Sequence, residues 1–291
     1  MSGDGMTLQQ AAAFLGVHYM TVYRYVRLGL LPARKDGASW CVERADVEAF
    51  KAAAEGVTAN GRQLGRRRAP WADRLEARLL AGDSRGAWGV VESSLAAGTD
   101  VASVYLDVLS PALTSIGTRW ASGEIDVAVE HRASGIAMRI IGRLGPRFAR
   151  RGRTRGTIVL GVPPGDHHSL PVALLADLLR AAGWEVHDLG ANVPIVDFVR
   201  VASATPRLAA VGVSVMAAEC LDSAREAVAS LRAVLPPAVP VLVGGLAVPG
   251  EEEARGLGAD AWASDGRRVV ELVDRLTARR AGAEVGSDIL P

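Results

Sequence analysis

The spacing of hydrophobic positions changes along the chain, and the changes divide it into segments. Over 7–15 the apolar Leu8, Ala11, Ala12 and Leu15 recur at helical spacing, and Gly16-Val17 then turns the chain. A second helix is expected over 18–28, with Val22 and Val26 facing inward and Tyr19, Thr21, Arg24, Tyr25 and Arg27 outward. Residues 33–42 read as two short strands about the turn Asp36-Gly37, and 44–54 return to helical spacing with Val47 and Phe50 inward. A helix, a tight turn, a second helix and a hairpin predict a winged helix-turn-helix over 1–55. The stretch 56–70, GVTANGRQLGRRRAP, has no apolar period and reads as a linker whose Arg66, Arg67 and Arg68 could touch phosphates.

From 71 to 150 the spacing is helical, with breaks at Gly82-Asp83, Gly98-Thr99 and Gly123, which predicts a four-helix bundle. After the basic stretch 150–155 the pattern changes again. Strand-like runs at 157–162, 184–189, 208–215, 239–245 and 261–264 alternate with helical runs at 170–182, 195–204 and 219–235. Such alternation specifies a Rossmann-like, doubly wound α/β domain with a parallel sheet, here over 151–291. Ligands of such sheets sit beyond the carboxyl ends of the strands.

Composition supports a multidomain chain: 291 residues exceed one ordinary domain, and 49% apolar with only 5% aromatic residues favours Ala, Val and Leu cores. Formal net charge is +1, yet residues 1–70 carry ten Lys+Arg against six Asp+Glu, so the N-terminal part is the basic one. Cys41 and Cys220 form no CxxC pair, which argues against a disulfide framework or a cysteine-based zinc site and fits a reducing cytoplasm. No charged-then-apolar leader and no run of 18 apolar residues is present, so a cytoplasmic protein that does not cross a membrane is expected.

Base edges and phosphates call for small or polar residues and arginine near the start of a reading helix, and His18, Tyr19, Thr21 and Arg24 meet that need. Tyr25 and Arg27 extend the same face. Arg34 and Lys35 of the hairpin are placed for the adjacent backbone or minor groove. A helical hairpin used for protein contact is the other reading of this segment. Residues 8–50, above all TVYRYVRLGLLPARKDG followed by Trp40, resemble the winged helix-turn-helix of the excisionase and MerR families, which implies binding to double-stranded operator DNA. Cys41 stands where such wings usually carry a basic residue after the tryptophan.

The loop GVPPGDHHSLP, 161–171, lacks the G-x-G-x-x-G spacing of a dinucleotide site. It offers Asp166-x-His168 instead: a neutral imidazole suits cobalt or iron, and a neighbouring carboxylate can take its other N–H and raise its basicity. His167 and His187 are secondary, His187 as an exposed strand residue. Asp166-x-His168-x-x-Pro171, Ser214-Val215-Met216 and Gly244-Gly245 together resemble the D-x-H-x-x-G, S-x-L and G-G signature of cobalamin-binding domains. The resemblance implies that His168 ligates cobalt from below, that Ser214 lies along the nucleotide tail, and that Gly244 and Gly245 leave room for it. Pro171 replaces a glycine of that signature and Met216 a leucine.

Trp120, followed after nine residues by Glu130-His131, reads on spacing alone as packing and capping. The W-x9-E-H pattern nevertheless resembles the CarH/LitR group of regulators, which use adenosylcobalamin as a light-sensing chromophore. That resemblance implies that Trp120 shields the upper face of the corrinoid and that Glu130 and His131 lie by the adenosyl group. Ala121 stands where the best-known light sensors carry a cobalt-capping His, so a bis-His product at this position is excluded. The implied protein is a regulator rather than an enzyme, a homo-oligomer (dimer or tetramer) whose assembly and DNA affinity follow the state of the cofactor. A corrinoid carrier subunit of a methyltransferase, and a regulator sensing another tetrapyrrole such as a bilin or haem, are the alternatives.

Overall fold

The computed structural model describes residues 5–15, 22–23, 25–26, 31–36, 39–51 and 70–287. The chain divides into two compact units, Met1–Ala97 with Asp107–Ile136, and Gly98–Leu106 with Ala137–Pro291.

The first unit opens with strand β1 (Gly5–Thr7) and helix α1 (Leu8–Leu15), followed by β2 (Arg34–Asp36), β3 (Ser39–Glu43) and a helical stretch over 44–51. The three strands form an antiparallel sheet in the order β1-β3-β2, with Arg34 opposite Cys41 and Met6 opposite Val42. Its β2–β3 hairpin is the one expected from Asp36-Gly37. The strand β1 was not expected, because three residues with only Met6 turned inward leave no readable period. Thr7 and Gln10 bond reciprocally across the start of α1, as a capping box does. Leu8, Ala11, Val22, Leu31, Val42 and Val47 make a small core of their own.

In the same unit α2 (Trp71–Leu80) packs against α3 (Ser84–Ala96) and α5 (Ser110–Ala121) through the buried Leu75, Leu79, Ala87, Val91 and Ile116. Asp83 accepts from Gly86 N–H at 2.8 Å and starts α3. A short helix α4 (Val101–Ser103), which belongs to the second unit, leads through one π-helical segment, Val104–Leu109, directly into α5. Helix α6 (Val127–Leu144) completes the four expected helical stretches, broken near the glycines that predicted the breaks.

The second unit is built on β4 (Thr157–Gly161), β5 (Glu185–Asp188), β6 (Leu208–Ser214), β7 (Val241–Gly244) and β8 (Ala261–Trp262), all parallel in the order β5-β4-β6-β7-β8. Successive residues of each strand point to opposite faces, and both faces are covered. Val159, Val211, Val213, Val241 and Val243 pack with α8 (Ile195–Ala204), α9 (Leu221–Val234) and α10 (Glu251–Gly256). Ile158, Leu160, Val186, Ala210 and Leu242 pack with α7 (Ser169–Ala181) and α11 (Gly266–Ser287). The two helices after β7 were not expected: α10 reads EEEARG, with only Ala254 fully buried, so it shows almost no apolar stripe.

A polar tie is buried in this unit. Tyr105, fully buried in the π-helical segment, donates to Asp177 of α7 at 2.8 Å, and Arg180 holds the other Asp177 oxygen at 2.9 Å. Burial and the adjacent Asp177 carboxylate push the Tyr105 hydroxyl far above its ordinary pKa, so it stays a donor.

Candidate functional site

The strand order reverses at β4, where β5 lies on one side and β6 on the other, and the crevice at the carboxyl ends of β4 and β6 is the topological switch point of the sheet. The loop after β4 carries Asp166, and His168 occupies the N-cap position of α7. Asp166 is fully buried, while the His168 side chain is 45% exposed. The His168 Nδ1 and an Asp166 oxygen are 2.7 Å apart, and the His168 N–H donates to the same oxygen at 3.1 Å. The other oxygen accepts from the backbone N–H of Met216 at 2.7 Å and of Ala217 at 3.2 Å, just past the end of β6.

Burial alone would raise the Asp166 pKa. The hydrogen bonds from the His168 imidazole and from the Met216, His168 and Ala217 N–H groups outweigh it and hold the carboxyl below its ordinary value. An ionised carboxylate on Nδ1 keeps that nitrogen protonated, which leaves the lone pair on Nε2, the arrangement a metal-binding imidazole needs. Among the described residues no group of three or more His, Cys, Asp and Glu could hold a metal ion. A single half-exposed imidazole backed by a buried carboxylate fits a metal held within a tetrapyrrole-type macrocycle.

Two contacts at this loop were not foreseen. Asn192, at φ +53° in the loop after β5, accepts from Gly165 N–H at 2.8 Å and donates its own N–H to the Asp166 carbonyl at 2.9 Å. The Met216 and Ala217 amides were likewise missed, since fifty residues of chain separate them from Asp166 and backbone donors leave no mark in sequence. Cys220 is buried beside Gly165, and burial together with the Asp166 carboxylate pushes its thiol up.

Ser214 ends β6 and is half-buried. Gly244 ends β7 opposite Ser214, and Gly245 follows at φ +108°. A Cβ on Gly245 would stand 2.2 Å from the Val215 carbonyl oxygen, so the backbone itself requires glycine there. His167 is exposed. His187, expected as exposed, is half-buried on β5 with Nδ1 3.4 Å from the Thr205 hydroxyl, because its side of the strand is covered by the end of α8.

In the first unit Trp120 lies one residue before the end of α5 and is 42% exposed, with Ala121 exposed beside it. Arg119 anchors this helix end to Glu76 at 3.1 Å and to Glu124 at 2.7 Å. Glu130, in the first turn of α6, accepts from the Ser134 hydroxyl at 2.5 Å and lies 3.7 Å from the exposed His131 ring. A groove of about 710 Å³ between α2 and α3 is lined by Trp71, Arg74 and Arg78 and includes none of these residues.

Of the expected DNA contacts, Arg34 is exposed on β2 and pairs with Glu43 at 3.5 Å. Lys35 follows it on the same strand. Tyr25, expected on the outward face, is half-buried with its ring 4.8 Å from Phe50, since it lies three residues after Val22 at the flank of the inward stripe. His18, Tyr19, Thr21, Arg24 and Arg27 lie outside the described residues, as do Arg66, Arg67 and Arg68. Among the described residues no helix is long and apolar enough to cross a membrane.

If His168 takes a metal, Asp166→Asn is expected to weaken its binding about 10- to 100-fold, as loss of a ligand's carboxylate partner does. It also removes a fully engaged buried acceptor, at about 1–3 kcal/mol. Because the folded pKa is depressed, the carboxylate's contribution is complete above the ordinary aspartate value of about 3.9 and is lost as pH falls through the lower folded value. Denaturant titrations should therefore give a constant stability gap between native and variant chains near neutrality, closing only in acid. A gap that closes around neutral pH would contradict this assignment.

Comparison with known proteins finds matches to three domain models. A family model described as "B12 binding domain" matches residues 156–273, a second of the same description matches 71–144, and a "Helix-turn-helix domain" matches 6–54. The HTH-type transcriptional repressor CarH of Myxococcus xanthus is 33% identical over 178 residues, which are 61% of this chain and 58% of the repressor. The chain thus spans less than two thirds of that relative. A corrinoid protein of Desulfitobacterium hafniense is 26% identical over 71% of this chain and 97% of its own length. The solved monomethylamine corrinoid protein of Methanosarcina barkeri superposes with a TM-score of 0.61 at 21% identity, covering 69% of this chain and 96% of that one, which shows a shared fold. The chain thus matches a helix-turn-helix domain model ahead of two B12 binding domain models and is similar to the CarH repressor over 61% of its own length.

Proposed function

We propose that this chain is a cobalamin-dependent transcriptional regulator whose N-terminal domain, 1–55, binds double-stranded operator DNA. In this reading 56–70 is a linker, 71–150 caps the cofactor and 151–291 holds it. The observation that carries the reading is the His168 imidazole at the switch point, backed by a buried carboxylate that four hydrogen bonds hold in place. His168 would hold the cobalt through Nε2, with Asp166 orienting the ring. Ser214, Gly244 and Gly245 would flank the nucleotide tail, and the resemblance assigns Trp120, Glu130 and His131 to the adenosyl group. When bound, adenosylcobalamin supplies a cobalt–carbon bond that light can break.

The chain's own part is to bind the two cofactor states with different affinity in two assemblies, since equal affinity would shift nothing. A homo-oligomer that reads DNA in one state is the expected output, with no catalytic residue required. His18, Tyr19, Thr21, Arg24 and Arg27 would serve the reading helix, and Arg34 and Lys35 the wing.

The test is the purified full chain loaded with adenosylcobalamin, in the dark and after illumination, followed by absorbance and gel filtration. A corrinoid spectrum that survives desalting, together with light-dependent changes in both spectrum and elution, is the expected result. Failure to retain a corrinoid defeats the reading. Retention with identical elution in light and dark favours the carrier reading, for which the corrinoid protein of D. hafniense, matched over 97% of its length, is the supporting observation.

A further inference from the structure

Between Glu130 and Asp166 the sequence contains no acidic residue and eight arginines, five of them within 147–155, in a chain whose net charge is only +1. Arg155 and Arg207 have structural work. Arg155 pairs with Asp274 at 2.6 Å and lies 4.3 Å from the centre of the Trp184 ring, and Arg207 donates to the Thr154 carbonyl at 2.6 Å. These two contacts fasten the segment that enters β4. Arg147, Arg150, Arg151 and Arg153 are exposed, and among the described residues no ion pair or hydrogen bond takes up their guanidinium groups.

The cluster cannot serve the cofactor loop. It precedes Thr157 at the amino end of β4, whereas the loop with His168 follows Gly161 at the carboxyl end. Five residues at about 3.3 Å each separate the two edges of the sheet by roughly 16 Å. Like charges gathered without counter-charges repel one another, and a polyanion relieves that repulsion. Guanidinium groups match phosphate oxygens bidentately, and duplex DNA presents a phosphate charge about every 1.7 Å of its axis.

We propose that the arginine segment 147–153 is a second, sequence-independent contact for the phosphate backbone of duplex DNA, beside the one made by the N-terminal domain. Duplex DNA is chosen over other polyanions because the same chain carries a helix-turn-helix domain, and in this respect the proposal rests on the regulator reading.

The experiment measures binding of the full chain to a random-sequence duplex across a salt series. It compares the native protein, the triple variant Arg150→Gln, Arg151→Gln, Arg153→Gln, and the hairpin variant Arg34→Gln. Each lost phosphate contact flattens the slope of log affinity on log salt by about 0.9, so the triple variant should flatten it by up to about 2.7. Its corrinoid binding should not change. A slope unchanged in the triple variant but flattened by Arg34→Gln overturns the proposal and leaves the N-terminal reading standing. The reverse pattern upholds the proposal and removes Arg34. Loss of affinity for single-stranded RNA alone, or a native chain that binds no duplex, overturns it.

Discussion

His168→Ala is expected to yield a folded chain that loses its corrinoid during desalting. The imidazole belongs to neither core cluster of the α/β unit and is 45% exposed, so its truncation leaves no packed cavity. What disappears is the nitrogen whose tautomer Asp166 fixes. Since losing a ligand's partner already costs about 10- to 100-fold in affinity, losing the ligand should cost more than about 100-fold. Absorbance of the desalted protein reads this directly, and His167→Ala, at an exposed neighbour, should retain the cofactor. Equal retention by His168→Ala and the native chain would remove His168 as the axial ligand.

Gly245→Ala should have the largest effect on stability. A Cβ at this position would meet the carbonyl oxygen, carbonyl carbon and nitrogen of Val215 at 2.2, 2.7 and 2.8 Å. Those are backbone atoms of a residue whose N–H is bonded to the Gly244 carbonyl at 2.8 Å, so the chain cannot step aside without breaking the end of β6. Added to the strain of φ +108° for an L residue, the cost is on the order of 4 kcal/mol. Thermal unfolding should show a fall in Tm of about 8–16 °C. A variant as stable as the native chain would mean that the β6–β7 ends relax more freely than their hydrogen bonding allows. The glycine that resemblance assigns to making room for a ligand is thus already required by the packing of the sheet.

The parallel sheet could be read from sequence because a strand buried on both faces has to be apolar almost throughout. Ile158, Val159 and Leu160 divide between the two cores, as do Leu242 and Val243, and such runs leave little doubt about where a strand lies. Asp166 and His168 stand two residues apart, so their pairing was foreseeable from local spacing. The other half of that clamp was not, because it consists of amides at Met216 and Ala217, which any residue would supply once β6 ends there. His187 was misjudged for a related reason: its cover comes from Thr205, eighteen residues away on the far side of a helix. In the N-terminal unit the inward Val22 and Val26 followed from their period, while Tyr25 shows that a residue beside the stripe can lean onto the core through a partner such as Phe50.

The strand order β5-β4-β6-β7-β8 also decides how this sheet meets other molecules. Its outermost strands carry the unpaired backbone groups that invite a foreign strand to add on. One border, β8, is only two residues long, and the other, β5, begins and ends with the acidic Glu185 and Asp188. Short and negatively charged borders discourage strand addition and the aggregation that follows from it. Self-association of the α/β unit is thereby directed away from its sheet edges.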